Sequence, residues 1–282
     1  HMVGKRARRG TIPRMRVERR AYAKVNLALA VGGPLPPGHP NAGMHPIASW
    51  MHTVELWDDV AVETLAAGPS RYDIRWAPDA PRGGAIDWPP EKDLGVRAHR
   101  LMESLANRSL PLALQTLKRI PAGGGLGGGS SDAAAVMLAV NDAFGLGFSL
   151  DRLAAASRVL GSDIAFFLDG SNPPRPAVVG GLGDQIERTE RINAVAVLVV
   201  PPFGCATGAV YRAFDELSPG TFAAERVRAM ALSGDTGELF NDLTEAARRA
   251  EPRMAPFLSR LSALGPAAMS GSGSTVFVLT DG

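Results

Sequence analysis

Cysteine is almost absent from these 282 residues, with Cys205 standing alone. One thiol excludes an intrachain disulfide and a cysteine-built metal cluster, and it fits a reducing cytoplasm. Long apolar runs are missing as well. Stretches such as Ala194 to Val200 are strand-sized, whereas a bilayer span needs about 20 apolar residues. No apolar segment of the signal-peptide kind follows the basic N-terminus, so the pattern offers no membrane partner. Internal repeats are lacking. Four of the five histidines lie outside any metal-ligand spacing, and no structural metal is expected. The net charge of +2 conceals an asymmetry. Residues 1 to 20 carry eight Lys or Arg against Glu18, which leaves 22 basic and 27 acidic residues beyond them. Residues 1 to 15 read as a disordered basic tail, and contact between that tail and nucleic acid is the less favoured reading.

Glycine is plentiful and concentrated. Six of the seven residues from Gly123 to Gly129 are glycine, interrupted only by Leu126. Such a run is uncomfortable as strand or helix. Ser130, Ser131 and Asp132 follow, each able to cap the helix that Ala133 to Leu138 would propagate. Bare amides feeding a helix N-terminus suit a phosphate chain. A linker is a poorer reading, because linkers do not run straight into a capped, Ala-rich helix. A P-loop requires a lysine after its last glycine, and this run has none. A dinucleotide fingerprint does match at Gly123, Gly125 and Gly128, but without the βαβ unit that should surround it.

Periodicity places strands over 16–31, 47–65 and 110–120, with a Pro/Gly-rich loop over 34–46 and an irregular stretch over 68–92 pinned by Trp76 and Trp88. Helical spacing covers 93–107, 133–144, 149–160, 206–217, 221–232 and 252–264, with further strands at 177–187, 195–201 and 275–280. The composition shifts to Asn, Pro and Gly over 170–176, a natural boundary. The expected class is α+β in two domains, 16–172 and 173–282.

Several motifs recur in one order. The stretch from Pro121 through Gly123, Gly124, Gly125, Leu126, Gly127, Gly128, Gly129, Ser130 and Ser131 to Ala134 resembles the ATP loop of the small-molecule kinases named for galactokinase, homoserine kinase, mevalonate kinase and phosphomevalonate kinase. Its Gly-Gly-Gly-Ser-Ser-Asp-Ala-Ala form is most similar to the 4-diphosphocytidyl-2-C-methyl-D-erythritol kinase family. Ala23-Lys24-Val25-Asn26-Leu27-Ala28-Leu29 resembles that family's first motif, and Met269 to Phe277 its third. Gly161 to Phe167 resembles the segment with the catalytic aspartate, and Asn241-Asp242-Leu243 a further element.

The resemblance implies a two-domain kinase with its active site in the interdomain cleft. ATP and a cytidine diphosphate-linked alcohol are the expected small-molecule partners, with Mg²⁺ delivered on the nucleotide and the protein a monomer or weak homodimer. Asp163 is then the base and Lys24 the cation that orients it, the chemistry that phosphoryl transfer to an alcohol requires. Asn26 shares a strand face with Lys24 and either binds substrate or ties the core. Asp93 and Leu94 lie where the family has Asn-Leu beside adenine. Met44 stands for a tyrosine that helps enclose the cytidine, next to His45, which would meet the cytosine edge. Tyr211, four residues after the substrate-binding candidate Thr207, falls where the family has an aromatic that stacks on cytosine, and is alternatively a core residue. Ser270, Gly271, Ser272 and Gly273 would approach substrate and phosphates from the second domain. A kinase of the same fold acting on another alcohol, and a non-catalytic nucleotide-binding regulator, remain as alternatives.

Overall fold

The structure, a computed structural model, describes residues 14–81, 83–217, 220–263 and 267–281. The basic segment 1–13 therefore lies outside the described residues. In chain order the elements are β1 (Arg16–Val31), β2 (Ile47–Thr64), β3 (Arg71–Trp76), α1 (Leu94–Ala106), β4 (Leu112–Lys118), α2 (Gly128–Ala143), α3 (Leu150–Ser157), α4 (Ile164–Phe167), β5 (Ala177–Gly181) and β6 (Gln185–Arg188). They continue with β7 (Ala194–Val199), α5 (Thr207–Glu216), α6 (Ala224–Ser233), β8 (Phe240–Asn241), α7 (Thr244–Ala250), α8 (Met254–Ser262), β9 (Ala267–Met269) and β10 (Val276–Asp281).

A seven-stranded sheet runs β3-β4-β2-β1-β8, with β5 paired to the other half of β2 and β6 to β5. The long β2 serves two neighbours because its N-terminal half meets β5 and its C-terminal half meets β4. A second sheet orders β7-β10-β9. Since β5 and β6 join the first sheet, the expected division at 172/173 does not coincide with the change of sheet, which falls between Arg188 and Ala194.

β1 explains how the two layers meet. Its first five residues alternate between exposed and half-buried, and every residue from Ala21 to Val31 is buried. A strand buried on both faces must be covered twice. Helices α1 and α2 with Val96, Met102, Val136 and Val140 pack on one side. Val25, Leu27, Val227 and Phe277 form a second cluster on the other, joining β1 to α6 and β10. A third cluster unites α5, α7 and α8 around Val210, Phe214, Leu243, Met254 and Leu258.

The structure corrects several expected elements. The stretch 68–92 is not irregular throughout, since β3 pairs parallel to β4 along its whole length. The 177–187 strand is a hairpin, β5 and β6, turned by Gly181 and Gly183 at positive φ. β8 and α7 carry no strong periodicity of their own and were not expected. Helix α2 starts at Gly128 with Gly127 at its N-cap and no side-chain cap bond. Ser130, Ser131 and Asp132 thus sit inside the helix rather than capping it. The helix begins at unobstructed backbone amides, a few residues before the side chains suggested.

Candidate active site

A cavity of about 590 Å³ opens between the glycine loop, the middle of β1, the start of α4 and the turn after β9. Lys24 and Asn26 enter it from one face of β1, as period two requires. A register shift between Asn26 and Ala28 adds a residue to β1, so that Leu29 rather than Ala28 continues this face. The Lys24 ammonium is wholly buried among acceptors. It donates to Asn26 Oδ1 at 2.6 Å and to the Gly125 carbonyl at 2.8 Å, and it lies 3.8 Å from Asp163 Oδ2. Burial lowers its pKa below the usual 10.5, and the Asp163 charge opposes that shift without cancelling it. Asn26 Nδ2 donates to Ser49 Oγ, whose hydroxyl donates in turn to the Ala28 carbonyl. This buried chain fixes the Asn26 amide with its oxygen toward Lys24.

Asp163 precedes α4 at the N-cap position, yet its carboxylate makes no capping bond. Its side chain is partly exposed into the cavity. The ordinary alternative, an aspartate occupied in capping, is therefore not what the chain builds. Asp93 behaves in the opposite way. Its Oδ1 accepts from the Gly95 and Val96 amides and its Oδ2 from the Trp88 indole. It lines the cavity wall with Leu94, but its oxygens hold helix α1 and Trp88 in place.

The glycine loop is shaped by three positive-φ residues, Gly123, Gly125 and Gly127. At Gly125 a Cβ would stand 2.1 Å from the Ser270 carbonyl oxygen, closer than any side chain tolerates. The loop and the turn after β9 are laced together here. Ser270 Oγ donates to the Gly125 carbonyl at 2.9 Å and Thr275 N to the Gly124 carbonyl at 3.1 Å. Asn241 adds its amide nitrogen to the carbonyls of Met269 and Gly271 at 2.8 Å.

The expected residues fall into two groups. Lys24, Asn26, Asp93, Leu94, Pro121, Gly123 to Ser130, Asp163, Thr207, Tyr211, Gly271 and Ser272 all line the cavity. Ser131 and Ser270 are buried behind it, and Gly273 packs against Met269 and Cys205. Tyr211 is both a packing and a cavity residue: burial, then the Asp163 charge, pushes its phenol up to about 12. His45 packs against Tyr211 in a tilted arrangement, with ring centroids 5.1 Å apart and planes at 42°, and is bonded through Nδ1 to the Gly32 carbonyl. It forms the backing of that tyrosine, not the cavity lining. Met44 is 45% exposed and does not line the cavity. Ser49, Met51, Trp88, Lys118 and Asn241 went unremarked as site residues. Asn241 left a signal in the Asn241-Asp242-Leu243 motif, and Lys118 one at the end of a strand leading into the loop.

Among the described residues no three His, Cys, Asp or Glu gather to hold a metal ion. Within this cavity Asp163 offers a partly exposed carboxylate, paired with Lys24 but not engaged in capping, and Ser130 a hydroxyl. Mg²⁺ commonly takes one or two carboxylates beside phosphate oxygens, so this donor set fits an ion that arrives on a nucleotide.

Comparison with known proteins gives the family. Residues 94–171 match the GHMP kinases N terminal domain and residues 223–282 the GHMP kinases C terminal family. A homoserine kinase from Cytophaga hutchinsonii shares the fold at TM-score 0.60 and 15% identity, covering 94% of this chain and 85% of its own. The fold and cavity together define an ATP-dependent small-molecule kinase of the GHMP class. Within that class the similarity narrows. A relative in Pelotomaculum thermopropionicum, a 4-diphosphocytidyl-2-C-methyl-D-erythritol kinase, is 34% identical over 92% of this chain and 88% of its own length. One in Chromobacterium violaceum is 33% identical over 92% and 84%. A crystal structure of 4-(cytidine 5'-diphospho)-2C-methyl-D-erythritol kinase superposes with TM-score 0.72 at 31% identity, covering 94% of this chain and 91% of that one. The chain belongs to the 4-diphosphocytidyl-2-C-methyl-D-erythritol kinase family.

Proposed function

We propose that this enzyme transfers the γ-phosphoryl group of ATP to the 2-hydroxyl of 4-diphosphocytidyl-2-C-methyl-D-erythritol, in the non-mevalonate route to isoprenoid precursors, with Asp163 as base and Lys24 as orienting cation. The observation that carries the assignment of roles is the pairing of a capping-free Asp163 with a buried ammonium that also touches the glycine loop. The acceptor oxygen attacks the γ-phosphorus, its proton passes to the Asp163 carboxylate, and ADP departs. Lys24 offsets negative charge in a water-poor site, where such an interaction counts most. The glycine-loop amides and the N-terminus of α2 receive the phosphates. Mg²⁺ travels with ATP as part of that substrate and neutralises phosphate charge. Tyr211, braced by His45, offers an aromatic face for the cytosine, with Thr207 and Ser272 joined at 2.9 Å beside it. The lone buried Cys205 accords with a cytoplasmic setting.

Asp163→Ala tests the reading. Loss of a general base costs about 10²- to 10⁴-fold in rate, so kcat should fall by that factor while ATP still binds. Wild-type kcat in this variant would overturn the assignment. ADP release measured against the cytidyl substrate, homoserine and mevalonate tests the acceptor, and preference for either of the latter two would reject it.

A further inference from the structure

The glycine loop is gripped by a buried cluster that the transfer chemistry does not use. Lys118 ends β4 and is only 4% exposed. Its ammonium donates at 2.8 Å to Asp58, a fully buried residue of β2, and also to Asp132 in α2. The second Asp58 oxygen accepts the backbone N–H of Arg119 and, at 2.8 Å, of Ile120. Those two residues lead directly into Pro121 and the loop. Asp132 belongs to the helix in which the loop ends. The two ends also touch: a Cβ on Gly128 would sit 2.8 Å from Ile120 Cγ2.

Stability alone is a weak reason for this arrangement. Three buried charges seldom stabilise a fold more than a well-packed apolar trio would. The cluster is not even balanced, with two carboxylates to one ammonium, and Asp132 Oδ1 has no hydrogen-bond partner. Burial raises the Asp132 carboxyl well above the usual range against the pull of Lys118. What the cluster does supply is direction. Asp58 fixes the backbone at the loop entry, Asp132 is rigid with the exit helix, and one ammonium sets the distance between them.

We propose that Asp58, Lys118 and Asp132 form a positioning device that holds the entry and exit of the glycine loop in register, so that its amides converge on the nucleotide phosphates. The proposal rests on the reading of 123–129 as a phosphate loop. Because the triad acts through backbone, it governs affinity for phosphate-bearing ligands and leaves the nucleoside part alone. Asp132→Leu is the informative variant: it keeps the number and branching of side-chain heavy atoms and leaves the Lys118–Asp58 pair intact, while cutting the tie to α2.

Calorimetric titration of the full chain with ADP and with adenosine tests this. Wild type should prefer ADP. In Asp132→Leu that preference should shrink by about tenfold or more, since small displacements at an active site carry such costs, with adenosine affinity held within about twofold. Asp132→Asn keeps an oxygen for Lys118 and should restore the preference. An undiminished preference in Asp132→Leu overturns the positioning role. Equal weakening of both ligands, or no rescue by Asn, shows general damage and overturns it too. Equal affinities in wild type would instead remove the phosphate-loop reading and the proposal with it. Should circular dichroism show Asp132→Leu unfolded, Asp132→Ala carries the same expectations.

Discussion

Lys24 is held in a position that costs the folded state. Its ammonium gives up water for two hydrogen bonds and a carboxylate 3.8 Å away, and desolvation still prevails, leaving its pKa below 10.5. The folded protein therefore binds this proton less tightly than the unfolded chain does. Stability should rise as pH climbs from the lowered Lys24 pKa toward 10.5, because the unfolded chain is the more protonated state in that window. Activity should move the other way, since the deprotonated amine no longer offsets charge. Lys24→Met is predicted to lose at least about 10²-fold in kcat while its thermal midpoint at pH 7 is no lower than wild type, as calorimetry can check. One of the two acceptors keeps a donor in that variant, because the single Ser270 Oγ proton reaches Gly125 O at 2.9 Å or Asn26 Oδ1 at 3.3 Å. At this scale much was legible in the chain. A lysine and an asparagine two apart in an apolar strand must share a face, and they do. Asp93 and Met44 were not legible, because whether a side chain caps a helix or faces solvent depends on neighbours distant in sequence.

The glycine loop shows why an element can matter more than its side chains. Its φ values are positive at Gly123, Gly125 and Gly127, but the three are not equivalent. Gly123 faces open space, so Gly123→Ala meets only the backbone cost of about 1–2 kcal/mol for an L-residue in the left-handed region. Gly125→Ala meets the same cost and a backbone carbonyl at 2.1 Å. We predict at least about 10²-fold lower kcat/KM for Gly125→Ala and a milder effect, under about tenfold, for Gly123→Ala. Steady-state kinetics on the pair checks this, and equal losses would refute the packing argument. The glycine spacing points to a phosphate loop, but which glycine is least replaceable depends on Ser270, 145 residues further along. The helix start was misplaced for a related reason. Serines after a glycine run look like caps, whereas bare amides at Gly127 to Gly129 let the helix begin sooner.

Across the whole molecule, the short helix that presents Asp163 is fastened to the β5–β6 hairpin. Arg188 donates to the carbonyls of Phe166 and Leu168 at 2.9 and 3.2 Å, and Asp169 accepts from the Arg175 amide and guanidinium. Burial would raise the Asp169 pKa, but the Arg175 bonds and the Arg188 charge outweigh it and hold the carboxyl at about 2. Its stabilisation is present in full above 3.8 and is lost as pH falls through about 2. Asp169→Asn should cost about 1–2 kcal/mol at pH 7 and flatten the stability profile across that acid window, as urea titration at several pH values would reveal. Among the described residues no helix is long and apolar enough to cross a membrane. The two sheets meet through β1, the glycine loop and the turn after β9, so the cavity exists only where these segments are brought together.

What the amino-acid order decided by itself is local: alternation along β1, the glycine run, and the few motifs whose residue types phosphoryl transfer demands. These depend on steric and hydrogen-bonding preferences that act over a few residues. Tertiary structure alone decided that Gly125 abuts Ser270, that Asp163 is free of its helix, that His45 braces Tyr211, and that Lys118 joins Asp58 to Asp132. Each pairing brings together segments distant in the chain, and long-range packing sets their distance, burial and charge environment.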